Sequence, residues 1–241
     1  MTDYTLSDDT KAKLKRISTA SIATQLYKRG LRNQFIQGVS PVAPKAERMV
    51  GQAFTLRYIP AREDRNQLEV FRTEDHPQRV AVETCPVGHV LVMDARQDAS
   101  AATAGSILIT RMAVRGCAGV VSDGGFRDAQ GIGELDMPAF HARPSAPTNL
   151  TKHEALDINI PIGCGGVAVF PGDVIVGDSD GVMVIPAHLA DEIAEVCSGM
   201  EAFEDFVLEE VLAGTPIIGL YPCTHEENQK KFEDWRAKTG R

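Results

Sequence analysis

Apolar positions recur at helical spacing over Gly105 to Arg115, where Ile107, Leu108, Met112 and Ala113 mark one buried face and Gly116 supplies the stop. The apolar run Gly119 to Ser122 reads as a short buried strand. Asp123-Gly124-Gly125 then reads as a turn able to take positive φ, which delivers Phe126, Arg127 and Asp128. Another apolar run, His89 to Met93, ends in Asp94 ahead of the helix. Strand, helix and strand make a βαβ unit, which predicts a parallel pair at the centre of an α/β fold. Between Asp94 and the helix, Ala95 to Ala104 holds only small and polar residues and reads as loop.

The remaining pattern surrounds this unit. Ser7 caps a first helix whose opening turn carries Asp8 and Asp9, and Ile22, Leu26 and Tyr27 continue a second helix closed by Gly30. Leu31 to Glu47 reads as an irregular connection, Arg48 to Ile59 as a strand, and Ala61 to Asn66 as a charged, solvated turn. Met137 to Arg143 is a further strand, with His141 and Arg143 on one side of it, and Pro144 to Asn149 is loop. Ile158 to Ile185 divides into short strands at Gly163 to Gly166, Pro171 to Asp173 and Asp178 to Gly181. No helix follows Gly163 to Gly166, so it is no phosphate loop, and Asp178 and Asp180 suit a hairpin turn rather than a calcium loop.

The longest helical pattern runs from Ala187 to Ala213 through Leu189, Ile193, Val196, Cys197, Met200, Phe203, Phe206, Val207 and Val211, with a kink expected at Ser198-Gly199. At roughly 40 Å it exceeds what one small domain needs, so the surplus apolar face is expected to pack on another subunit. Thr224 to Glu227 reads as a capping box that opens a terminal helix with Phe232 and Trp235 on one face. The organisation expected is one α/β domain over residues 1–221 and a helical tail over 222–241.

Composition removes several functional classes. The 241 residues carry a formal charge of −8, with 25 basic against 33 acidic side chains and no basic stripe, so no nucleic-acid partner is expected. No run approaches the ~20 apolar residues of a membrane span. The acidic N-terminus lacks a signal-peptide pattern, which makes a cytoplasmic location the expectation. The five cysteines form no Cys-x-x-Cys, and the six histidines are equally dispersed. Any metal is therefore expected on carboxylate and water oxygens, which favours Mg²⁺ or Mn²⁺ over zinc.

Candidate chemistry converges on the βαβ unit. Arg127 can fork onto a carboxylate, Asp128 offers a hard oxygen ligand, and the free N–H groups at Gly105, Ser106, Ile107 and Leu108 form an anion cradle at the helix start. Gly105 with Leu108, Arg115-Gly116, Gly119-Val120-Val121, Asp123-Gly124 and Arg127-Asp128 together resemble the RraA-like family. That family comprises the regulator of ribonuclease activity A and the class II 4-hydroxy-4-methyl-2-oxoglutarate and 4-carboxy-4-hydroxy-2-oxoadipate aldolases. The similarity also takes in Ile17 to Ala20, Val50 to Ala53, Gly172-Asp173 and Asp180 to Val182, and spans roughly residues 14 to 221.

The resemblance implies a swivelling β/β/α domain, here with a long C-terminal helical extension, assembled as a homotrimer or hexamer with sites between subunits. It implies a metal-dependent lyase acting on a small 2-oxo acid through a pyruvate enolate, by aldol cleavage or by decarboxylation of oxaloacetate. Asp128 would hold the metal, Arg127 and the Gly105 to Leu108 amides would bind the keto acid, and Glu204 would enter the neighbour's site. The aldolase pattern has acids where this chain has Ser106 and near Gln130 and Gly131. The base is therefore unassigned, with Asp94 and Asp123 as candidates. The other function this family implies is a non-catalytic regulator that binds a ribonuclease or another protein.

Overall fold

The computed structural model describes residues 4–240. Helices α1 (Asp8–Leu14) and α2 (Thr19–Lys28) precede β1 (Phe35–Ile36), β2 (Ser40–Pro41) and the long β3 (Met49–Pro60). A 3-10 turn at Leu68–Arg72 and α3 (Pro77–Thr84) lead into β4 (Val90–Asp94), β5 (Ala102–Ala104), α4 (Ser106–Val114) and β6 (Gly119–Phe126). Next come α5 (Ala129–Gly133), β7 (Ala139–Pro144), a 3-10 turn at Asn149–Thr151, β8 (His153–Ile158), β9 (Ile162–Cys164), β10 (Val167–Val169), β11 (Val174–Gly177) and β12 (Val182–Ile185). The chain ends in α6 (Ala190–Leu212) and α7 (Glu226–Thr239).

Strand order in the main sheet is β1-β12-β11-β3-β4-β6-β7-β2, with β8 also on β3 and β5 also on β6. The centre, β3-β4-β6-β7, is parallel, and β11, β12 and β1 extend it antiparallel. The expected βαβ unit is present, with Val90 paired to Gly119 and Met93 to Ser122. Alternation along β4 sends Leu91 and Met93 to the face covered by Ile109 and Met112 of α4. Val90 and Val92 face Phe140 and Ile175 on the other side. Both faces of the central strand are therefore dry, as a parallel sheet requires. A separate cluster packs Leu14, Ile22, Leu26 and Ile193 from α1, α2 and α6 onto Val174 and Met183.

Several local expectations are corrected. Asp123-Gly124-Gly125 is not a turn but the buried interior of β6, which continues to Phe126. A Cβ on Gly124 would lie 2.6 Å from Ala95 Cβ, and one on Gly125 2.6 Å from Ser145 Cβ. These glycines serve close packing, and the register against β7 shifts between Ser122 and Gly125. The left-handed residue is Asp128, at φ 58°. Ile107 is 79% exposed rather than buried, because the inward stripe of α4 runs through Ile109 and Met112. Ala95 to Ala104 is only partly loop, since β5 adds to β6 there.

At the C-terminus, a 3-10 turn at Ala187–Leu189 precedes α6, which runs unbroken through Ser198-Gly199. Its second half is covered by its own tail: Phe206, Val207 and Leu220 are buried against Phe203, Phe232 and Trp235. The Trp235 indole N–H donates to Glu209 Oε2 at 2.7 Å. No capping box forms at Thr224, because His225 takes the N-cap position without a side-chain bond. Leu212 at 80% and Ile218 at 82% exposed remain uncovered.

The Asp178 turn is structural, as expected. Its carboxylate accepts from Thr19 N at 2.8 Å and Thr19 Oγ1 at 2.7 Å, and from Asp180 N at 3.0 Å. It thereby ties the β11-β12 hairpin to the start of α2. Asp178→Ala strands the Thr19 donors and should cost about 1–3 kcal/mol. Urea unfolding should show a lower midpoint at unchanged slope, and an unmoved midpoint would mean that the turn is merely solvated.

Candidate active site

The parallel β4-β6 pair fixes where α4 must begin. Its crossover returns along the sheet, so the helix N-terminus arrives beside the carboxyl end of β6, where open α/β sheets bind ligands. Arg127 N donates to Ala104 O at 3.1 Å, which clamps the residue after β6 to the residue before Gly105. Gly105 is the N-cap of α4, in extended backbone at φ −125°. A Cβ there would stand 2.9 Å from Arg127 Nε and 3.0 Å from Asp128 Oδ2, so its absence lets both side chains lie against the helix start.

The predicted residues meet in this place. Arg127 Nε lies 3.7 Å from Asp128 Oδ2, and both side chains are about half exposed. Ser106 donates to the same Oδ2 from its backbone N and its Oγ, each at 3.3 Å. One amide of the expected cradle is thus engaged by Asp128. The N–H groups of Ile107 and Leu108 belong to the first turn of α4, whose donors have no i−4 acceptor within the helix. A cleft of about 140 Å³ opens here, lined by Gly105, Ile107, Leu108, Arg127 and Asp128.

Gly131, on the short helix after Asp128, has space for a Cβ, which would sit 3.7 Å from Ser106 Cβ. The two positions that lack the aldolase acids are therefore neighbours beside Asp128.

Other expected residues lie elsewhere. Asp123 is buried and accepts from Ala95 N (2.6 Å), Gln97 N (3.1 Å) and Gly165 N (2.9 Å). Burial pushes its carboxyl above the usual range, and these N–H groups pull the other way. Asp94 accepts from Arg96 N at 2.8 Å and Gly163 N at 3.3 Å. Both acids fasten loops to the β9-β10 hairpin and neither lines the cleft. Glu204 accepts from Ser21 Oγ at 3.2 Å and lines a different pocket with Arg16, Arg48 and Asp205. His141 is buried with its ring 5.5 Å from Phe126, and burial lowers its pKa.

Sequence reasoning passed over one wall of the cleft: Phe71, Gln78, Arg79, Thr148 and Asn149. Pro77 at the first position of α3 was an available helix-start signal for the middle of this set. Nothing local to Thr148-Asn149 distinguishes it from any polar loop.

Comparison with known proteins bears on the family and the fold. The chain is 37% identical over 118 residues to a Halalkalibacterium halodurans protein named "Putative 4-hydroxy-4-methyl-2-oxoglutarate aldolase", covering 49% of this chain and 56% of that one. The chain thus spans a little over half the length of that relative. The Streptomyces coelicolor protein RraAS2, described as an unusual member of the RNase ES inhibitor RraA family, superposes with a TM-score of 0.74 at 28% identity, over 83% of this chain and 96% of its own. An uncharacterized Pseudomonas syringae protein shares the fold, with a TM-score of 0.75 at 22% identity, over 90% of this chain and all of its own. These structures bear out the RraA-like α/β fold with its C-terminal helical extension. The RraA-like profile, described as Aldolase/RraA, matches residues 19–184, and the chain belongs to that family.

Proposed function

We propose that this chain is a divalent-metal-dependent carbon–carbon lyase that acts on a 2-oxo acid, as a 4-hydroxy-4-methyl-2-oxoglutarate-type aldolase or an oxaloacetate decarboxylase. The observation that carries the reading is the side-chain-free Gly105, which brings Arg127, Asp128 and the start of α4 to one cleft. Ile107 and Leu108 amides receive the substrate carboxylate, and the Arg127 guanidinium lies against the 2-oxo oxygen, where negative charge grows as the carbon–carbon bond breaks.

The donor set fits Mg²⁺ or Mn²⁺. Asp128 makes its contacts through Oδ2 and leaves Oδ1 open, and among the described residues no three His, Cys, Asp or Glu side chains form a closed cage. One carboxylate completed by water and substrate oxygens is the usual arrangement for such a hard cation. Bound there, it would supply Lewis-acid polarisation of the 2-oxo group. The pairing of Ser106 with Gly131 favours chemistry that needs an electron sink over chemistry that needs a base, since serine takes up no proton at neutral pH.

The same pairing, with the likeness to RraAS2, supports a second reading: a regulator that binds a protein partner. Pyruvate release measured with and without Mg²⁺ separates the two. Assembly belongs to the first reading as well. The uncovered Leu208, Leu212 and Ile218 are apolar surface for a neighbouring protomer, and Glu204 would reach that neighbour's cleft.

Arg127→Ala and Asp128→Ala should stay folded while turnover falls roughly a hundredfold or more, as when one preorganised contact is lost. Near-normal kinetics in both would remove the site. Ser106→Asp should raise aldolase turnover more than decarboxylase turnover when both are assayed side by side with Mg²⁺. A drop in aldolase turnover would show that the proton is handled elsewhere. Light scattering should return a trimer or hexamer, and a monomer at micromolar concentration would refute the assembly and the role of Glu204 in trans.

A further inference from the structure

The lyase chemistry leaves two nucleophilic side chains unused at the opposite end of the βαβ unit from the cleft. Cys85 is the C-cap of α3, and Cys117 lies between α4 and β6. Both belong to the core beneath α4, where Cys85 is fully buried and Cys117 is 7% exposed. Their thiols are hydrogen-bonded to each other. Cys117 Sγ also lies 4.0 Å from Cys85 O, which accepts from Arg115 Nη2 at 3.2 Å. Two backbone bonds clamp the segments that carry the pair, Gly88 N to Gly116 O and Ala118 N to His89 O, each at 2.8 Å. The sulfurs are thus held in contact by paired backbone. A bond of about 2.05 Å between them needs side-chain rotation rather than chain movement.

The two thiols are not equivalent. The hydrogen bond from Cys85, and then the Arg115 guanidinium, hold the Cys117 thiol below its usual range against the cost of burial. The same bond and burial push the Cys85 thiol far above its own. Access differs as well: Cys117 lines a cleft of about 580 Å³, which Cys85 does not reach. Lys11, Lys15, Lys45 and Arg48 line that cleft against Glu47 and Asp136, a surplus of positive charge that favours an anionic sulfur. A reachable thiolate with a second thiol in contact is the arrangement in which one sulfur attacks an oxidant and the other resolves the product.

We propose that Cys85 and Cys117 form a reversible disulfide, with Cys117 as the attacking sulfur and a hydroperoxide as the oxidant. The Cys117 thiolate attacks the peroxide, so that an S–O bond forms, the O–O bond breaks, and the leaving oxygen takes a proton from solvent. The sulfur has given up two electrons and stands as a sulfenic acid. Cys85 then displaces its oxygen: the S–S bond forms as the S–O bond breaks, and the hydroxyl leaves as water with the Cys85 proton. With hydrogen peroxide, two thiols and one oxidant give one disulfide and two waters. A dithiol reductant restores the pair by exchange. The bond ties the end of α3 to the start of β6 and leaves Arg127 and Asp128 untouched, so the inference stands apart from the lyase reading.

Peptide mapping tests it. The native protein is treated with hydrogen peroxide, its remaining thiols are alkylated in urea, and the digest is analysed by mass spectrometry without reduction. The Cys85 and Cys117 peptides should appear linked, two of the five thiols should be lost, and dithiothreitol should return both. In Cys85→Ser, oxidation should stop at a sulfenic acid on Cys117 that dimedone traps, and in Cys117→Ser the Cys85 thiol should stay reduced. Should either variant fail to fold, the linkage in wild type decides. Cys223 is the most exposed of the five. Dimers linked through Cys223, with Cys85 and Cys117 still open to alkylation, overturn the proposal by showing that exposure alone governs oxidation. A Cys85–Cys117 bond that forms only when peroxide is added in urea overturns it too, as does dimedone labelling of Cys85 in Cys117→Ser.

Discussion

The constraint on which this molecule depends is the parallel pairing of β4 with β6. Parallel neighbours cannot be joined by a hairpin, so the chain must cross over, and a right-handed crossover brings the start of α4 to the carboxyl end of the sheet. The amide-rich end of a helix and the two residues that leave β6 are then forced into one volume. A side chain at residue 105 would prise them apart, because its Cβ would meet Arg127 and Asp128 at about 3 Å. The site is thus a consequence of topology plus one missing methyl group. Asp128 in left-handed backbone completes it by turning the chain away immediately after Arg127.

A second, less visible constraint holds the surroundings in place. Asp123 is buried in the middle of β6, yet it receives three backbone N–H groups from two separate loops. A buried carboxylate is tolerated only when donors replace its water, and here the donors are the loops themselves. Losing any of them exposes the cost of the burial, so Ala95 to Gln97 and the β9-β10 hairpin are held to one position. An acid that looks from its neighbours like a catalytic base is instead part of the frame. The same residue type five positions on, Asp128, is half exposed and makes only two bonds to Ser106 and an ion pair to Arg127.

Much of the frame was legible because the βαβ unit is written in local periodicity. The apolar run before Asp94, the helix and the run after Gly116 each announce themselves, and the Arg127-Asp128 site follows from their order. What was not legible depends on contacts between distant segments. Gly124-Gly125 reads equally as a turn or as a strand pressed against Ala95 and Ser145, and only the tertiary neighbours decide. Ile107 has the right spacing for the buried face, but the stripe that faces the sheet is set by Ile109 and Met112. The surplus apolar face of α6 was read as an interface, while Phe232 and Trp235 of the tail cover much of it within the same chain. Arg79 and Asn149 share a cleft wall though they lie seventy residues apart in sequence, and no motif joins them.

The chemical character of the cleft follows from what its walls can and cannot ionise. The groups at the Arg127 end of the cleft are Arg127, Asp128, Ser106 and the first-turn amides of Ile107 and Leu108. Asp128 is the one carboxylate among them, and it is committed to Ser106 and Arg127 through Oδ2. Such a site stabilises negative charge well and abstracts protons poorly. Positions 106 and 131 adjoin each other, so a carboxylate at either would stand beside Asp128, raising the local negative charge and the proton affinity together. Serine and glycine there remove both effects at once. On the lyase reading proposed above, the cleft would be left more electropositive, which would favour an anionic ligand and disfavour the proton transfer that retro-aldol cleavage requires. Tight anion binding and strong base catalysis make opposite demands on these two positions, and in this chain the residues present meet the first.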